Sequence, residues 1–328
     1  MQGGQERQLR KSELPWKRQE LRRKRQELRI KRKEAPSKKA WAVLSPEWKR
    51  QKKRLQQEIF QLDREIRAIK EGWADSEEPI TGALPDFLVI GGKKCGTTFF
   101  YHLLSQHPYI EPAASKELHY FSALYEQEDT EWYRHCFPAP RLKDGRRTIT
   151  GEATPYMPYL QAPKNVARIA PRARLIALLR NPVDRTYSDY QMMARRGQES
   201  RSFEEAIGLG GATGAEKEVR PLDEDSKYLS RSVYVDHLMR WSEYFPREQM
   251  LVLKSEDFFE RPQEILELSF DFLGLPGWEF EALEIVPKRR NAGDYARGMD
   301  PLIERRLEEY FEPHNMRLYE FLGVDYGW

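Results

Sequence analysis

Short apolar runs alternate with longer amphipathic segments along the chain from residue 85 onward. The clearest apolar runs, each of strand length, lie at 87–92, 174–179 and 250–253, with a weaker run at 148–152. Segments with helical spacing lie at about 97–106, 182–195, 227–245, 261–273, 300–312 and 314–322. Unbroken apolar strands that alternate with helices are typical of a parallel sheet covered on both faces. The pattern therefore predicts an α/β domain with a central parallel sheet flanked by helices.

Residues 1–78 have a different pattern, in which charged positions predominate. The hexapeptide KRQELR occurs twice between residues 17 and 29, with a shift of seven residues. After a break near residue 35, apolar residues recur from Leu55 to Ile69 in steps of 4, 3, 4 and 3, as in a coiled coil. We therefore predict a basic helical arm with its linker at 1–78 and a separate domain at 79–328.

The charge of the chain is distributed very unevenly. The net charge is only +3, but residues 1–70 hold 23 of the 55 Lys and Arg residues and 9 of the 52 Asp and Glu residues. This stretch carries +14 and the remainder −11. Two interpretations of residues 1–70 stay open: a solvated helix that packs its apolar stripe on the body, or a binding segment for an anionic partner. Nucleic acid is not favoured as that partner, because aromatic residues are not interleaved with the basic ones.

Composition excludes several classes of protein. With 39% hydrophobic and 12% aromatic residues in a chain of 328, wholesale disorder is excluded. Two cysteines, Cys95 and Cys136, cannot build a disulfide framework. No apolar run reaches the 18 residues of a transmembrane helix, and the N-terminus lacks the apolar stretch of a secretory signal. The chain as given is therefore expected to be soluble.

The loop after the first predicted strand, residues 91–98, reads GGKKCGTT. Its glycines permit a tight turn, and backbone N–H groups at the helix start, with the hydroxyls of Thr97 and Thr98, can donate to an anion. A triphosphate-binding loop has its lysine where Thr97 stands, whereas Lys93 and Lys94 lie earlier, inside the loop. The sequence thus favours a site for a single phosphate. A structural turn without a ligand is the alternative.

A second motif, LLRNPVDRTYSDY at 178–190, joins another predicted strand to its helix. Arg180 ends the strand, an Asn-Pro pair starts the helix, and Arg185 and Ser188 follow on the side of the helix that faces that strand end. An arginine at a strand end with a serine further along the helix suits a second phosphate group. A solvated ion pair is the alternative for Arg180.

Together these motifs resemble the sulfotransferases that use 3′-phosphoadenosine 5′-phosphosulfate (PAPS), in particular the carbohydrate, heparan sulfate-type group. The resemblance runs from about residue 85 to the C-terminus. Further matches are SKELHYF at 115–121, YLSRSVYVDHLMRW at 228–241 and FEPHNMRLYEFLG at 311–323. The resemblance implies a fold similar to that of the P-loop kinases. It also implies the Golgi lumen as the compartment, if the chain is a trimmed form of a membrane-anchored member.

The resemblance implies roles for the matched positions. Lys94 would hold the 5′-phosphate and neutralise the bridging oxygen, Glu117 would be the general base, and His119 would lie near the acceptor. PAPS would be bound by Lys93, Lys94, Cys95, Gly96, Thr97, Thr98, Arg180, Ser188 and Arg290. No metal is required, because sulfuryl transfer depends on positioning and charge stabilisation and the donor carries its own leaving group.

The sequence also departs from the heparan sulfate-type pattern around the acceptor. Ala153 stands where those enzymes often have lysine, and Ser122 stands where an aspartate is common. In place of their paired cysteines the chain has the basic stretch 288–297, which includes Arg290 and could cover the donor or touch an anionic sugar. Glu117 could also be an ordinary surface carboxylate, and His119 a packed histidine. These departures concern the acceptor and leave the donor motifs intact.

We therefore interpret the chain as a PAPS-dependent sulfotransferase that acts on a hydroxyl or amine of a saccharide or polysaccharide. One alternative is a non-catalytic scaffold with the same fold, anchored in an assembly by its basic arm. The presence of Lys94, Glu117, Arg180 and Ser188 speaks against it. A nucleotide or phosphate kinase is a second alternative, and the absent lysine of a triphosphate loop speaks against that one.

Overall fold

The computed structural model divides the chain into two compact units, Met1–Thr81 and Gly82–Trp328. It describes residues 13, 15–27, 58, 82–126, 129–209, 222–224, 226–278 and 298–328. In the first unit, residues 15–27 are helical, and the Lys24 ammonium pairs with the Glu58 carboxylate at 2.6 Å. The predicted apolar stripe from Leu55 to Ile69 lies outside the described residues, so the basic coiled-coil arm stays a prediction.

The second unit is an α/β domain. Its strands are β1 (Phe87–Gly91), β2 (Ile110–Pro112), β3 (Leu142–Lys143), β4 (Arg146–Arg147), β5 (Ile149–Ala153), β6 (Arg174–Leu179) and β7 (Met250–Lys254). Its α-helices are α1 (Thr97–Leu104), α2 (Thr130–His135), α3 (Ala162–Ile169), α4 (Pro182–Arg195), α5 (Phe203–Ala206), α6 (Lys227–Ser230), α7 (Tyr234–Ser242), α8 (Ser255–Glu260), α9 (Pro262–Leu273) and α10 (Pro301–Leu322). A π-helical turn, Tyr120–Leu124, and a 3₁₀ turn, Arg247–Gln249, complete it.

Five strands form one parallel sheet in the order β2-β5-β1-β6-β7, and β3 and β4 form a separate antiparallel hairpin. The central strand β1 is buried along its whole length because helices cover both faces of the sheet. Leu88 and Ile90 pack into the core on one face, with α3, α7 and α10. Phe87 and Val89 pack into the core on the other face, with α1, α8 and α9. The predicted parallel sheet flanked by helices is confirmed.

Three elements differ from the sequence prediction for identifiable reasons. The two predicted C-terminal helices are one helix, α10, which contains Pro313. Its buried side chains recur every three or four residues from Ile303 to Leu318, and Pro313 lies on the exposed face. Packing of this stripe outweighs the cost of a helix-interior proline, about 3 kcal/mol.

The predicted helix at 227–245 is divided into α6 and α7. The buried Arg185 guanidinium donates to the Tyr228 carbonyl oxygen and to the Ser232 hydroxyl, each at 2.6 Å. It therefore occupies a carbonyl that a continuous helix would use for its own hydrogen bond. Strand β2 was not predicted from the sequence, because it has only three residues and ends in Pro112, which is tolerated at a sheet edge.

Candidate active site

Most of the predicted site residues that the structure describes lie just after the carboxyl ends of neighbouring parallel strands. The loop 92–96 follows β1, residues 117–119 follow β2 after a short irregular segment, and Arg180 follows β6. Because β2, β5, β1 and β6 are adjacent in the sheet, these segments share one edge of it. This edge is where ligands bind in open α/β sheets.

The loop after β1 is held in place by its backbone and by Cys95. The Gly92 N–H donates to the Leu178 carbonyl at 2.7 Å, and the Ser255 hydroxyl donates to the Cys95 carbonyl at 3.0 Å. The Cys95 thiol is fully buried near the Tyr234 hydroxyl, and burial raises its pKa to about 11. Cys95 therefore shapes the loop as a neutral core residue.

Helix α1 begins at the loop without a side-chain cap. Its N-cap residue is Gly96, in the left-handed region with φ of 82°. A Cβ at this position would come within 2.8 Å of the Phe259 ring, so the loop approaches α8 closely here. Thr97 is half-buried and Thr98 is exposed at the first helical positions. The arrangement leaves the first N–H groups of α1 available to an anion.

The two loop lysines differ in their partners. The Lys93 ammonium forms an ion pair with Asp189 of α4 at 2.9 Å. The Lys94 ammonium lies 3.7 Å from the Met192 sulfur, and among the described residues no carboxylate forms an ion pair with it. Burial lowers the pKa of Lys94, and the positive charge of Arg195 lowers it further. A half-buried cation that contacts a thioether and forms no ion pair among the described residues is suited to receive an anion.

The start of α4 has the geometry that the sequence predicted. The Asn181 side chain caps the helix by accepting from the Val183 N–H at 2.9 Å, and Pro182 occupies the first turn. The Arg180 guanidinium is partly exposed and pairs with Asp184 at 2.8 Å. Ser188 is buried further along α4. Arg180 is thus partly exposed at the carboxyl end of β6, whereas Ser188 is buried within α4.

Arg185 was expected on the same side of α4 as Arg180, but it points into the core. It is 1% exposed, and its partners are Ser232, the Tyr228 carbonyl and Asp189. It is therefore a structural residue. The prediction failed because helical spacing places a side chain on a face but cannot show that a later element, α6, covers that face.

Glu117 and His119 form a compact pair after β2. Both have left-handed backbone conformations, with φ of 61° and 58°. Their side chains approach within 3.8 Å, from Glu117 Oε2 to His119 Nε2, and His119 Nδ1 lies 3.1 Å from the Ser122 hydroxyl. The Lys116 ammonium pairs with Glu117 Oε1 at 2.8 Å. The pair is half-exposed and can therefore meet an acceptor.

Charge interactions tune this pair and link it to the donor loop. Burial raises the pKa of the Glu117 carboxyl, but Lys116, His119 and Arg196 together outweigh burial and bring this pKa below its ordinary value. Burial lowers the pKa of His119, and the nearby charge of Lys93 contributes in the same direction. Arg196, at the end of α4, lowers the pKa of both Glu117 and Lys94. The loop lysines and the carboxylate therefore share one electrostatic neighbourhood.

Sequence reasoning missed two buried carboxylates beside the site. Asp189 is fully buried and joins Lys93 to Arg185, with Arg231 at 3.8 Å. Glu152, near the end of β5, is also fully buried and accepts a hydrogen bond from the Leu118 N–H at 3.3 Å. Asp189 lies inside the LLRNPVDRTYSDY motif, and Glu152 lies inside the weak apolar run 148–152. A carboxylate within an otherwise buried strand or helix face was the signal that could have found them.

Some predictions fall outside what the structure describes. Arg290 and the basic stretch 288–297 lie within residues 279–297, which are outside the described residues. Within the described part of the chain, no group of three or more His, Cys, Asp and Glu side chains is arranged to hold a metal ion. Among the same residues, no helix has the length and apolar character needed to cross a membrane.

Comparison with known proteins identifies the family. The family model described as "Sulfotransferase domain" matches residues 84–290, which is more than half of the chain. The chain therefore belongs to the sulfotransferase family and is an enzyme of that class. The resemblance inferred from the motifs is confirmed.

Individual relatives agree with this assignment. Human heparan sulfate glucosamine 3-O-sulfotransferase 6 is 31% identical over 264 residues, which cover 74% of this chain and 73% of the relative. Human bifunctional heparan sulfate N-deacetylase/N-sulfotransferase 2 is 28% identical over 280 residues, covering 77% of this chain but only 31% of that longer protein. The crystal structure of a sulfotransferase from Alicyclobacillus acidocaldarius superposes with a TM-score of 0.57 at 26% identity, covering 74% of this chain and 97% of that one.

Proposed function

We propose that this enzyme transfers a sulfuryl group from PAPS to a hydroxyl or amine of a saccharide, with Glu117 as the general base. One observation carries the proposal. Among the described residues, four that are not glycine have positive φ, and three of them are Lys94, Glu117 and His119. Strained backbone of this kind persists where the surrounding structure enforces it, and such residues cluster at functional sites.

The donor would lie on the loop after β1. The N–H groups at the start of α1 and the Lys94 ammonium would receive the 5′-phosphate end, and Arg180 with Ser188 would receive the 3′-phosphate. Lys94 suits this role because the described hydrogen-bond partner of its ammonium is the Met192 sulfur, a weak acceptor that a phosphate would displace. Arg180 would exchange its partly exposed ion pair with Asp184 for the phosphate.

Glu117 would act on the acceptor. Bound PAPS supplies an activated sulfuryl group, and the acceptor oxygen or nitrogen forms a bond to sulfur as the bond from sulfur to the phosphate oxygen breaks. The acceptor proton passes to a Glu117 carboxylate oxygen, and Lys94 stabilises the charge that develops on the leaving phosphate. The lowered pKa of Glu117 keeps the carboxylate ionised at neutral pH and ready to accept that proton.

A saccharide acceptor is supported by two observations. The relatives reported above are named for heparan sulfate, a polysaccharide. In this chain the base is surrounded by positive charge, from Lys116 at 2.8 Å and from Arg196 at the end of α4. Such surroundings suit an acceptor that carries acidic groups close to the reacting hydroxyl or amine.

The proposal is tested by incubating the full chain with ³⁵S-labelled PAPS and a panel of desulfated, N-sulfated and neutral saccharides. We expect label in at least one saccharide, with turnover falling about 10²-fold or more in Glu117→Gln while the KM for PAPS is unchanged. Glu131→Gln is the matched control, because Glu131 is an exposed carboxylate on α2 that pairs only with Arg134 among its described partners.

Two results would contradict this proposal. Near-normal turnover in Glu117→Gln would show that another group takes the acceptor proton. Adenosine 3′,5′-bisphosphate binding without transfer to any saccharide would instead favour a different acceptor class or a non-catalytic scaffold.

A further inference from the structure

Glu152 is a fully buried carboxylate with an unusual set of partners. Its Oε1 accepts from the hydroxyls of Tyr133 at 2.7 Å and Tyr156 at 2.8 Å, and its Oε2 accepts from the hydroxyl of Thr154 at 2.6 Å. The fourth donor is the Leu118 N–H at 3.3 Å. Among the described residues no lysine or arginine pairs with it. Burying an anion against neutral donors alone is costly, so its placement calls for an explanation.

Residues 117–119, which include the proposed base, are held at the end of β5 by hydrogen bonds from three consecutive backbone N–H groups. The Glu117 N–H donates to the Ala153 carbonyl at 3.0 Å, and the Leu118 N–H donates to the Glu152 carboxylate. The His119 N–H donates to the Thr154 hydroxyl oxygen at 3.5 Å. Two of these three acceptors are therefore side chains of the Glu152 cluster.

Glu152 controls both of these side-chain hydrogen bonds. It receives the Leu118 N–H directly, and it also receives the hydroxyl proton of Thr154. Because that proton points at Glu152, the lone pairs of the Thr154 oxygen are left for the His119 N–H. A single buried carboxylate thus fixes the hydrogen bonds of two successive residues in this segment.

The segment needs such fastening because its conformation is strained. Glu117 and His119 both have positive φ, a region that residues with a Cβ rarely occupy. Leu118, between them, is the point at which Glu152 holds the backbone. This conformation brings the Glu117 carboxylate and the His119 ring to 3.8 Å of each other. Without the Leu118 hydrogen bond, the segment could relax to negative φ and separate the two side chains.

We propose that Glu152 is a positioning residue for sulfuryl transfer, which holds Glu117 and His119 in their reactive arrangement through the Leu118 N–H and the Thr154 hydroxyl. This inference rests on the proposed function of Glu117. Glu152 does not touch the reacting atoms, since it is fully buried beneath the segment.

The chemistry of the cluster predicts how two substitutions differ. In Glu152→Gln the amide oxygen can face the Leu118 N–H and the Thr154 hydroxyl, while the amide NH₂ donates to the Tyr133 and Tyr156 oxygens, which can also accept. The N–H of Leu118 cannot reverse its role, so this orientation is the one that satisfies the cluster. Glu152→Ala removes the acceptor altogether. Glutamine should therefore rescue what alanine loses.

The test compares Glu152→Ala and Glu152→Gln with Glu111→Ala. Glu111 is the matched control because it is also a buried carboxylate in the same sheet, on β2, but its side chain pairs with Arg141 at 2.7 Å. For Glu152→Ala we expect kcat to fall on the order of 10-fold to 100-fold with the KM for PAPS unchanged, the scale of a misplaced catalytic group. Glu152→Gln should regain most of that loss. Glu111→Ala should lower the melting temperature and keep kcat.

A second readout does not depend on activity. Hydrogen–deuterium exchange of a peptide that covers residues 117–121 should become faster in Glu152→Ala and stay unchanged in Glu111→Ala. If the wild-type chain transferred no sulfate, the proposed function would fail, and this exchange would still test the fastening. Retained kcat in Glu152→Ala, or a loss of kcat no larger than the loss of folded protein, would overturn the positioning role. If Glu152→Ala does not fold, Thr154→Val removes the acceptor for the His119 N–H and should give the same split between kcat and KM.

Discussion

At the scale of single residues, Asp189 is the charge that fixes the donor loop to the body. It pairs with Lys93 in the loop and with the buried Arg185, and it is itself fully buried. Burial raises the pKa of Asp189, but the cations of Arg185, Lys93 and Arg231 outweigh burial, so the pKa lies below its ordinary value. The carboxylate is therefore ionised and binds the loop through charge.

Replacing Asp189 with asparagine should weaken both folding and donor binding. The buried Arg185 guanidinium would lose its anion, a change that costs about 3 kcal/mol or more, and Lys93 would be released. Thermal melting and titration with adenosine 3′,5′-bisphosphate measure the two effects. Asp271→Asn, on the exposed face of α9, is the control and should change neither. Unchanged bisphosphate affinity in Asp189→Asn would show that Lys93 does not organise the donor loop.

The charge of Lys116 should set the acid limit of activity. A general base works only when deprotonated, and Lys116 holds the pKa of Glu117 below its usual value of 4.5. Activity in the wild type should therefore persist until the pH falls below that value. In Lys116→Gln less positive charge opposes the effect of burial on Glu117, so the pKa of Glu117 should rise. The acid limb of kcat/KM should therefore move to higher pH.

The measurement is a pH profile of kcat/KM, with melting temperatures taken in the same buffers to separate unfolding from titration. Lys164→Gln is the control, since Lys164 is exposed on α3. An acid limb that stays in place in Lys116→Gln would mean that Lys116 does not tune the base.

A site residue could be predicted from the sequence where a contiguous motif marks it, and not where its role depends on partners that are distant in the chain. Lys94 and Arg180 follow strands that the apolar runs predicted, so their shared edge followed from the strand pattern. Glu117 follows β2, which was not predicted, and only the family resemblance pointed to it. Asp189 binds the donor loop through Lys93, 96 residues away, and Glu152 accepts from Leu118, 34 residues away, and no local periodicity encodes such partners. Their roles required the packed structure.

At the scale of elements, the turn from β1 into α1 depends on Gly96. Its φ of 82° is unfavourable for any residue with a Cβ, and a Cβ would also meet the Phe259 ring at 2.8 Å. Gly145, in the hairpin between β3 and β4, has a similar φ of 76° but nothing within 4 Å of its Cβ position. The two glycines therefore share backbone strain and differ in crowding.

Substituting alanine at each glycine should separate these two effects. Both variants should lose about 1–2 kcal/mol of folding free energy from the left-handed conformation. Only Gly96→Ala should also weaken adenosine 3′,5′-bisphosphate binding, because relief of the Phe259 clash shifts the loop. Calorimetric titration with chemical denaturation of both variants checks this. Equal bisphosphate affinity in the two variants would show that the loop tolerates a shift at Gly96.

Helices were predictable where one face of a long segment is buried. They were less predictable where a contact with another element decides where a helix ends or continues. Helix α4 was expected at 182–195 and is found there, because an Asn-Pro start and a clear stripe mark it. The division of 227–245 depends on the buried Arg185 guanidinium, which comes from another helix. The continuity of α10 past Pro313 depends on its buried stripe.

At the scale of the whole molecule, the chain combines an α/β body with a strongly basic N-terminal stretch. The apolar runs predicted the parallel sheet of the body, because parallel strands are buried on both faces and therefore appear in the sequence as unbroken apolar runs. The basic stretch is harder to assign from its pattern. A charge of +14 over residues 1–70 exceeds what a helix with one wet face needs for solubility.

The last prediction concerns the first 45 residues, which contain 15 basic and 5 acidic residues. If this segment binds an anionic partner, its removal should lower the salt concentration at which the protein elutes from a heparin column, because fewer counterions are released on binding. Transfer to a short neutral saccharide should be unchanged, since every proposed site residue lies after residue 90. Removal of residues 1–78 should in addition expose apolar surface if the stripe from Leu55 to Ile69 packs on the body or on a second chain, and light scattering would then show a changed mass. Equal elution and equal mass for the full and both shortened chains would leave this segment as a solvated helix without a polyanionic partner.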